Sequence, residues 1–253
     1  MQQLNLISGK TKEEIAIDFI REHEPPEGYY VGISGGKDSD VLKDIVRRSG
    51  VKVSFYYSAT GIDPPEVVRH LRDNHPDVVF KRPKMSFLKE LQIKGYPCRI
   101  ARWCCDTLKK NPTADIDLSH RIMGIRAEES RARAARKDNP EYYKGLHIYK
   151  PLFYWLEWEI WEYIESHNLP YCSLYDEGFS RIGCVVCPFL CHGIKGNLLK
   201  HMERWPKIYV AFEKAMKKLF DNYLCVVNPR SGAMNYRRET DFETFINNWY
   251  RGK

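Results

Sequence analysis

Ser34, Gly35, Gly36, Lys37, Asp38 and Ser39 stand between an apolar run, Tyr29 to Ile33, and a helix-forming run that includes Val41 to Val46. Backbone N–H groups at a helix start attract anions. Two adjacent glycines let the chain wrap phosphate oxygens, and the hydroxyls of Ser34 and Ser39 add donors. Lys37 can neutralise charge on a transferring or leaving phosphate, while Asp38 can position a nucleotide or Mg2+. A Walker A loop needs four residues between its first glycine and its Gly-Lys pair, and Gly-x-Gly-x-x-Gly is also missing here. The spacing therefore predicts a phosphate loop of another kind.

Cysteine supplies the second constellation. Cys104 and Cys105 are adjacent, and Cys184 and Cys187 form a C-x-x-C pair. Four thiolates suit a 4Fe-4S cluster or a tetrahedral zinc ion, and both stay open at this point. The adjacent pair is unusual for a compact structural zinc site, which spaces its ligands. Arg99, Arg102, Lys109, Lys110 and Arg181 flank these cysteines. Cations so placed favour thiolates and hold acidic substrates. Cys98, Cys172, Cys191 and Cys225 read as core or surface thiols, although Cys191 is near enough in sequence to serve as a ligand or sulfur carrier. Eight cysteines with no secretion signal predict a reduced, cytoplasmic setting.

The elements that must position these groups follow from periodicity and capping. Thr11 with Glu14 has capping-box spacing and opens a helix that Pro25, Pro26 and Gly28 stop. Strands are expected at Tyr29 to Ile33, Val51 to Tyr57, Val78 to Phe80, His120 to Ile125 and Leu146 to Tyr149. Helices are expected after the glycine loop, from Pro64 and Pro65 to about Asn74, over Phe87 to Lys94 and over Trp103 to Lys110. Further helices are expected over Leu156 to Ser166, with Trp158, Trp161 and Ile164 on one face, over Trp205 to Leu219, and over Asp241 to Trp249. This alternation predicts an α/β fold with a mostly parallel sheet covered on both faces. The pattern changes after Asn168, so the expected division is an α/β nucleotide domain over 1–168 and a smaller cysteine-containing helical region over 169–253.

At 253 residues the chain is long enough for one good core with an appendage. It contains no run of about 18 apolar residues, which excludes a membrane-spanning helix. A formal charge of +7 pulls weakly toward polyanions. Arg121, Arg126, Arg131, Arg133, Arg136 and Lys137 form a basic stretch, and Arg230, Tyr236, Arg237, Arg238 and Trp249 give the tail a basic and aromatic character. Both are compatible with nucleic-acid contacts or with an ordinary solvated face.

The SGGKDS segment resembles the pyrophosphate loop of the adenine nucleotide α-hydrolase group. That group includes ATP pyrophosphatases, transfer RNA thiolases and the adenylyl-sulfate and phosphoadenylyl-sulfate reductases. The resemblance implies a Rossmann-like fold and chemistry around an α-phosphate. SATGIDPPE at Ser58 to Glu66 and GIRAEES at Gly124 to Ser130 are similar to segments of the sulfate-reductase branch, as is PLFYWLEWEIWEYI. They add Thr60, Gly61, Gly124 and Arg126 to the implied nucleotide ligands, and Lys37, Asp38 and Arg126 to the implied catalytic residues. The cysteine doublet with a later C-x-x-C resembles iron–sulfur adenylyl-sulfate reductases, implying that Cys104, Cys105, Cys184 and Cys187 bind a 4Fe-4S cluster. Those reductases attack with a cysteine in a Glu-Cys-Gly segment, which this sequence does not contain. The departure favours a different use of the same parts. In it, ATP with Mg2+ adenylates a substrate with release of pyrophosphate, and sulfur is then transferred to DNA or RNA, supplied by a cysteine desulfurase or another donor. Reduction of adenylyl sulfate or its 3′-phosphorylated form, with thioredoxin as electron donor, is the alternative. A non-catalytic nucleotide- or cluster-sensing subunit is the third reading.

Overall fold

The computed structural model describes residues 9–190, 197–224 and 241–252. Thr11 caps helix α1 (Lys12–Glu22) reciprocally, accepting the Glu14 N–H at 3.1 Å while its own N–H donates to the Glu14 carboxylate at 2.8 Å. Both donors would otherwise be open at the helix start. Strand β1 (Tyr29–Gly32) runs through the glycine loop into α2 (Lys37–Ser49), followed by β2 (Val53–Ser58), α3 (Pro65–Asn74) and β3 (Val79–Lys81). Next come α4 (Phe87–Lys94) and the short α5 (Trp103–Cys105), which continues as a π turn over Asp106–Lys110. The order then runs β4 (His120–Met123), α6 (Arg131–Ala134), β5 (Glu141–Tyr143), β6 (Leu146–Tyr149) and α7 (Glu157–Ser166). Helices α8 (Asn197–Arg204), α9 (Pro206–Leu219) and α10 (Phe242–Tyr250) complete the described elements.

The strands form one sheet in the order β3-β2-β1-β4-β6-β5, parallel except where β5 pairs antiparallel with β6. Tyr29, Tyr30 and Val31 of β1 are buried, as expected of a central strand covered on both faces. On one flank α2 packs against α1 and α7. The strand order reverses at β1, which has β2 on one side and β4 on the other. In open α/β sheets the crevice beyond the carboxyl ends at such a reversal is where ligands bind.

The chain forms two compact units that interleave along the sequence. One takes 1–58, 65–81 and 113–182 and contains the whole sheet. The other, smaller and helical, takes 59–64, 82–112 and 183–253, and it carries Cys104, Cys105, Cys184 and Cys187. Within the helical unit α9 packs against α4, α8 and α10, and Phe212 lies 6.1 Å from the Phe87 ring and 4.7 Å from the Trp249 ring. The Trp249 indole donates to Pro97 O at 2.8 Å, giving its one polar atom a buried partner.

Three local features differ from the sequence reading. β5 is a three-residue edge strand returned by Lys144 and Gly145, which have φ of 51° and 79°. Two left-handed residues are what a tight hairpin needs, but Lys-Gly is a weaker signal for it than Asn-Gly. α8 is a helix that the sequence pattern did not predict. In α7 the buried apolar face is Ile160, Tyr163 and Ile164, while Trp158 is 48% exposed. Two residues before Ile160 is a turn of about 200°, which carries Trp158 to the opposite face.

Candidate nucleotide and cysteine sites

In the sheet-bearing unit, α2 begins at Lys37 behind a loop only glycine can make. Gly35 has φ of 72°, and a Cβ there would meet Val67 Cγ1 of α3 at 2.7 Å. Ser39 Oγ donates to Gly36 O at 2.8 Å and closes the first turn. Ser34 Oγ lies 3.4 Å from the Gly36 N–H. The Lys37 N–H donates to the Tyr175 hydroxyl at 3.0 Å. Lys37 is 4% exposed, and its ammonium lies 3.2 Å from Glu157, 3.7 Å from Asp38 and 5.3 Å from the centre of the Tyr175 ring. A buried ammonium requires such partners.

Arg126 reaches the same loop from the end of β4. Gly124 permits the approach, since a Cβ there would sit 3.3 Å from Asp38 O. Arg126 is 3% exposed; its Nε donates to Asp38 at 2.5 Å, and one terminal nitrogen donates to Glu128 at 2.5 Å and to Trp155 O at 3.3 Å. Burial opposes its charge, but Asp38 and Glu128 outweigh burial and raise its pKa. Glu128 also accepts the Glu157 N–H, at 2.6 Å, at the start of α7. Ser34 to Ser39, Gly124 and Arg126 thus come together at the β1–β4 reversal. Tyr175, Glu128 and Glu157 join them and were not singled out. Tyr175 lies in an aromatic-rich loop, and Glu157 opens a helix in which only the apolar pattern drew notice. Two cations and three carboxylates ring the helix start, a setting in which an incoming anion must displace carboxylate from Lys37.

The helical unit gathers the four cysteines. Cys104 and Cys105 hydrogen-bond to each other. That bond holds the Cys105 thiol down to about 6, helped by Lys109 and Arg102, and together with burial pushes Cys104 up. Burial raises Cys184, and the Cys184 charge is in turn the main cause of the raised Lys109 pKa. Thr60 is placed here: its N–H and hydroxyl donate to Asp63 at 2.7 and 2.8 Å, and Oγ1 lies 3.8 Å from Cys184 Sγ. Gly61 forms the turn between them. The Val185 N–H donates to Ile62 O at 2.8 Å and fixes the C-x-x-C segment against this turn. Arg99 and Arg102 stack over Phe189 at 5.2 and 4.9 Å. Cys98 and the buried Cys172 are free thiols. Cys191, Cys225, Arg230, Tyr236, Arg237 and Arg238 lie outside the described residues.

Residues 28–190 match the model of the phosphoadenosine phosphosulfate reductase domain, a span that holds the loop, Arg126 and all four cysteines. The chain belongs to this family. It is 27% identical over 228 residues to an uncharacterized protein of Methanocaldococcus jannaschii, covering 83% of this chain and 46% of that protein. The chain therefore spans about half the length of that relative. It is 29% identical over 200 residues to the adenosine 5′-phosphosulfate reductase of Allochromatium vinosum, covering 70% of this chain and 75% of the reductase. The phosphoadenylyl-sulfate reductase of Candida auris shares the fold, with a TM-score of 0.54 at 17% identity over 71% of this chain and 90% of that one.

Proposed function

We propose that this chain is an enzyme acting on an adenylyl-sulfate-type nucleotide, bound at the Ser34 to Ser39 loop and cleaved reductively to sulfite. The observation that carries this reading is the placement of Lys37 in the first turn of α2 and of Arg126, from beyond β4, against Asp38 of that turn, at the strand reversal and within the span matched to the reductase domain. The N-terminal N–H groups and these two cations suit the phosphate that joins adenosine to sulfate. In the reaction the S–O bond to that phosphate breaks and AMP, or its 3′-phosphorylated form, leaves with the oxygen. Two electrons come from an external dithiol of the thioredoxin kind, which becomes a disulfide and releases two protons. Lys37 and Arg126 stabilise the charge gathering on the leaving phosphate.

Cys104, Cys105, Cys184 and Cys187 would hold a 4Fe-4S cluster in this reading. Their donor set fits: there are four thiols, with Lys109 and Arg102 close enough to lower Cys105. When bound, the cluster supplies a compact, polarisable charge beside the cationic side chains of its own unit.

A second reading is favoured by one observation: none of these 253 residues forms a Glu-Cys-Gly segment. In that reading ATP with Mg2+ adenylates an acceptor at the same loop, pyrophosphate leaves, and the acceptor, such as a nucleic acid, receives sulfur. Calorimetric titration with adenylyl sulfate, its 3′-phosphorylated form and Mg·ATP separates the two. Tighter binding of a sulfate nucleotide, lost by about 10²-fold or more in Lys37→Ala, supports the proposal. Preference for Mg·ATP supports the second reading instead.

A further inference from the structure

His70, in the middle of α3, and His75, just beyond its end, both direct Nε2 at Asp40 in the first turn of α2, His70 through a hydrogen bond. The separations are 3.1 Å to Oδ2 and 3.2 Å to Oδ1. Asp40 is 3% exposed and each histidine 6%. Asp40 Oδ1 and His75 Nε2 face each other without an aligned hydrogen bond, which leaves two buried polar atoms unsatisfied. A cavity of about 90 Å³ opens beside them, lined also by Lys43, Asn74 and Leu169. At ~30 Å³ per water it has room for water ligands. One ligand atom from each of the three residues lies within 4.8 Å of the others. Tetrahedral ligands on bonds of ~2.0–2.2 Å stand about 3.3–3.6 Å apart, a little wider than the 3.1 and 3.2 Å from the two rings to the two Asp40 oxygens.

We propose that Asp40, His70 and His75 bind a divalent metal ion of the zinc type, with water from the cavity completing its coordination. Two imidazoles and one carboxylate are a donor set that zinc accepts, and the ion would satisfy both unpartnered atoms at once. The site uses none of the four cysteines and none of the phosphate-loop ligands, so it stands apart from the nucleotide reading. Ligation through Nε2 puts the ring proton on Nδ1. At His70 that nitrogen lies 3.1 Å from the Asn74 amide nitrogen, which also donates to His70 O at 3.1 Å, so ligation through Nε2 gives up the Asn74 contact to the ring. At His75 it lies 3.0 Å from Lys43 Nζ, which Asp77 holds at 2.5 Å. A ring N–H facing an ammonium opposes the metal, so Lys43 weakens the site and its removal tightens it.

The test is Co2+ titration of the whole protein, prepared anaerobically and dialysed against a mild chelator. One Co2+ per chain is expected, with visible d–d bands and no thiolate charge-transfer band, together with a rise in melting temperature. Asp40→Asn, which keeps the shape, is expected to abolish the bands; His70→Gln must do the same if Asp40→Asn does not fold. Lys43→Met is expected to tighten binding about tenfold. Absence of d–d bands at millimolar Co2+, or bands that survive in folded Asp40→Asn or His70→Gln protein, would each overturn the assignment.

Discussion

At the scale of single residues, the loop is held by contacts a ligand must replace. The Tyr175 hydroxyl accepts the Lys37 N–H, a donor at the helix start where a phosphate oxygen would sit. Tyr175→Phe removes that competitor at a stability cost of about 1 kcal/mol. Nucleotide affinity is expected to rise by about three- to tenfold, measured by calorimetry, and a fall would show that the hydroxyl itself contacts the ligand. Lys37 and Asp38 were legible as candidates from motif and spacing, because loop chemistry is local in sequence, whereas Arg126, 88 residues from Asp38, came from the resemblance of its GIRAEES segment. Tyr175, Glu128 and Glu157 were not, since each reaches the loop only after the sheet has folded. His70 and His75 were equally silent: a histidine on a helix reads as ordinary until its ring is seen to face Asp40.

At the scale of elements, the alternation of strands and helices was legible because buried parallel strands are short apolar runs and their helices carry clear starts. The Thr11–Glu14 cap and the Pro65 helix start are where the sequence places them. What failed was weak or short: β5, three residues long at the sheet edge, and α8, four of whose eight residues are charged or histidine. The loop between β1 and α2 depends on Gly35 in two ways, through its left-handed backbone and its contact with α3. Gly35→Ala is therefore expected to lose about 1–2 kcal/mol to backbone strain and a further ~1–3 kcal/mol to overpacking against Val67. Gly61, with φ of 79° and open space around it, isolates the first contribution. Urea denaturation of Gly35→Ala and Gly61→Ala compares them directly, and equal losses would contradict the close-packed loop.

At the scale of the whole molecule, the two compact units share segments of chain in a way linear reading does not reveal: Ala59 to Pro64 belongs with the cysteines, although β2 and α3 on either side belong with the sheet. This places Thr60 beside Cys184, while the sequence reading grouped it with the nucleotide ligands. Each unit also holds a histidine whose pKa burial lowers, His120 in the sheet unit and His201 in the helical one. The unfolded chain protonates near the ordinary value of about 6.5, above the folded values, so it binds more protons on acidification. Their contribution is complete above that value and is lost as pH falls through it toward the folded values. Melting temperature is expected to decline from pH 7.5 to 5.5, and less steeply in His120→Gln/His201→Gln. The most direct test of the central claim uses anaerobically prepared protein, adenylyl sulfate labelled in its sulfur, and a reduced dithiol donor, with sulfite and AMP measured together. Equal amounts of both products, absent in Lys37→Ala, are expected. No sulfite from either sulfate nucleotide, with Lys37-dependent pyrophosphate formed from ATP instead, would contradict it.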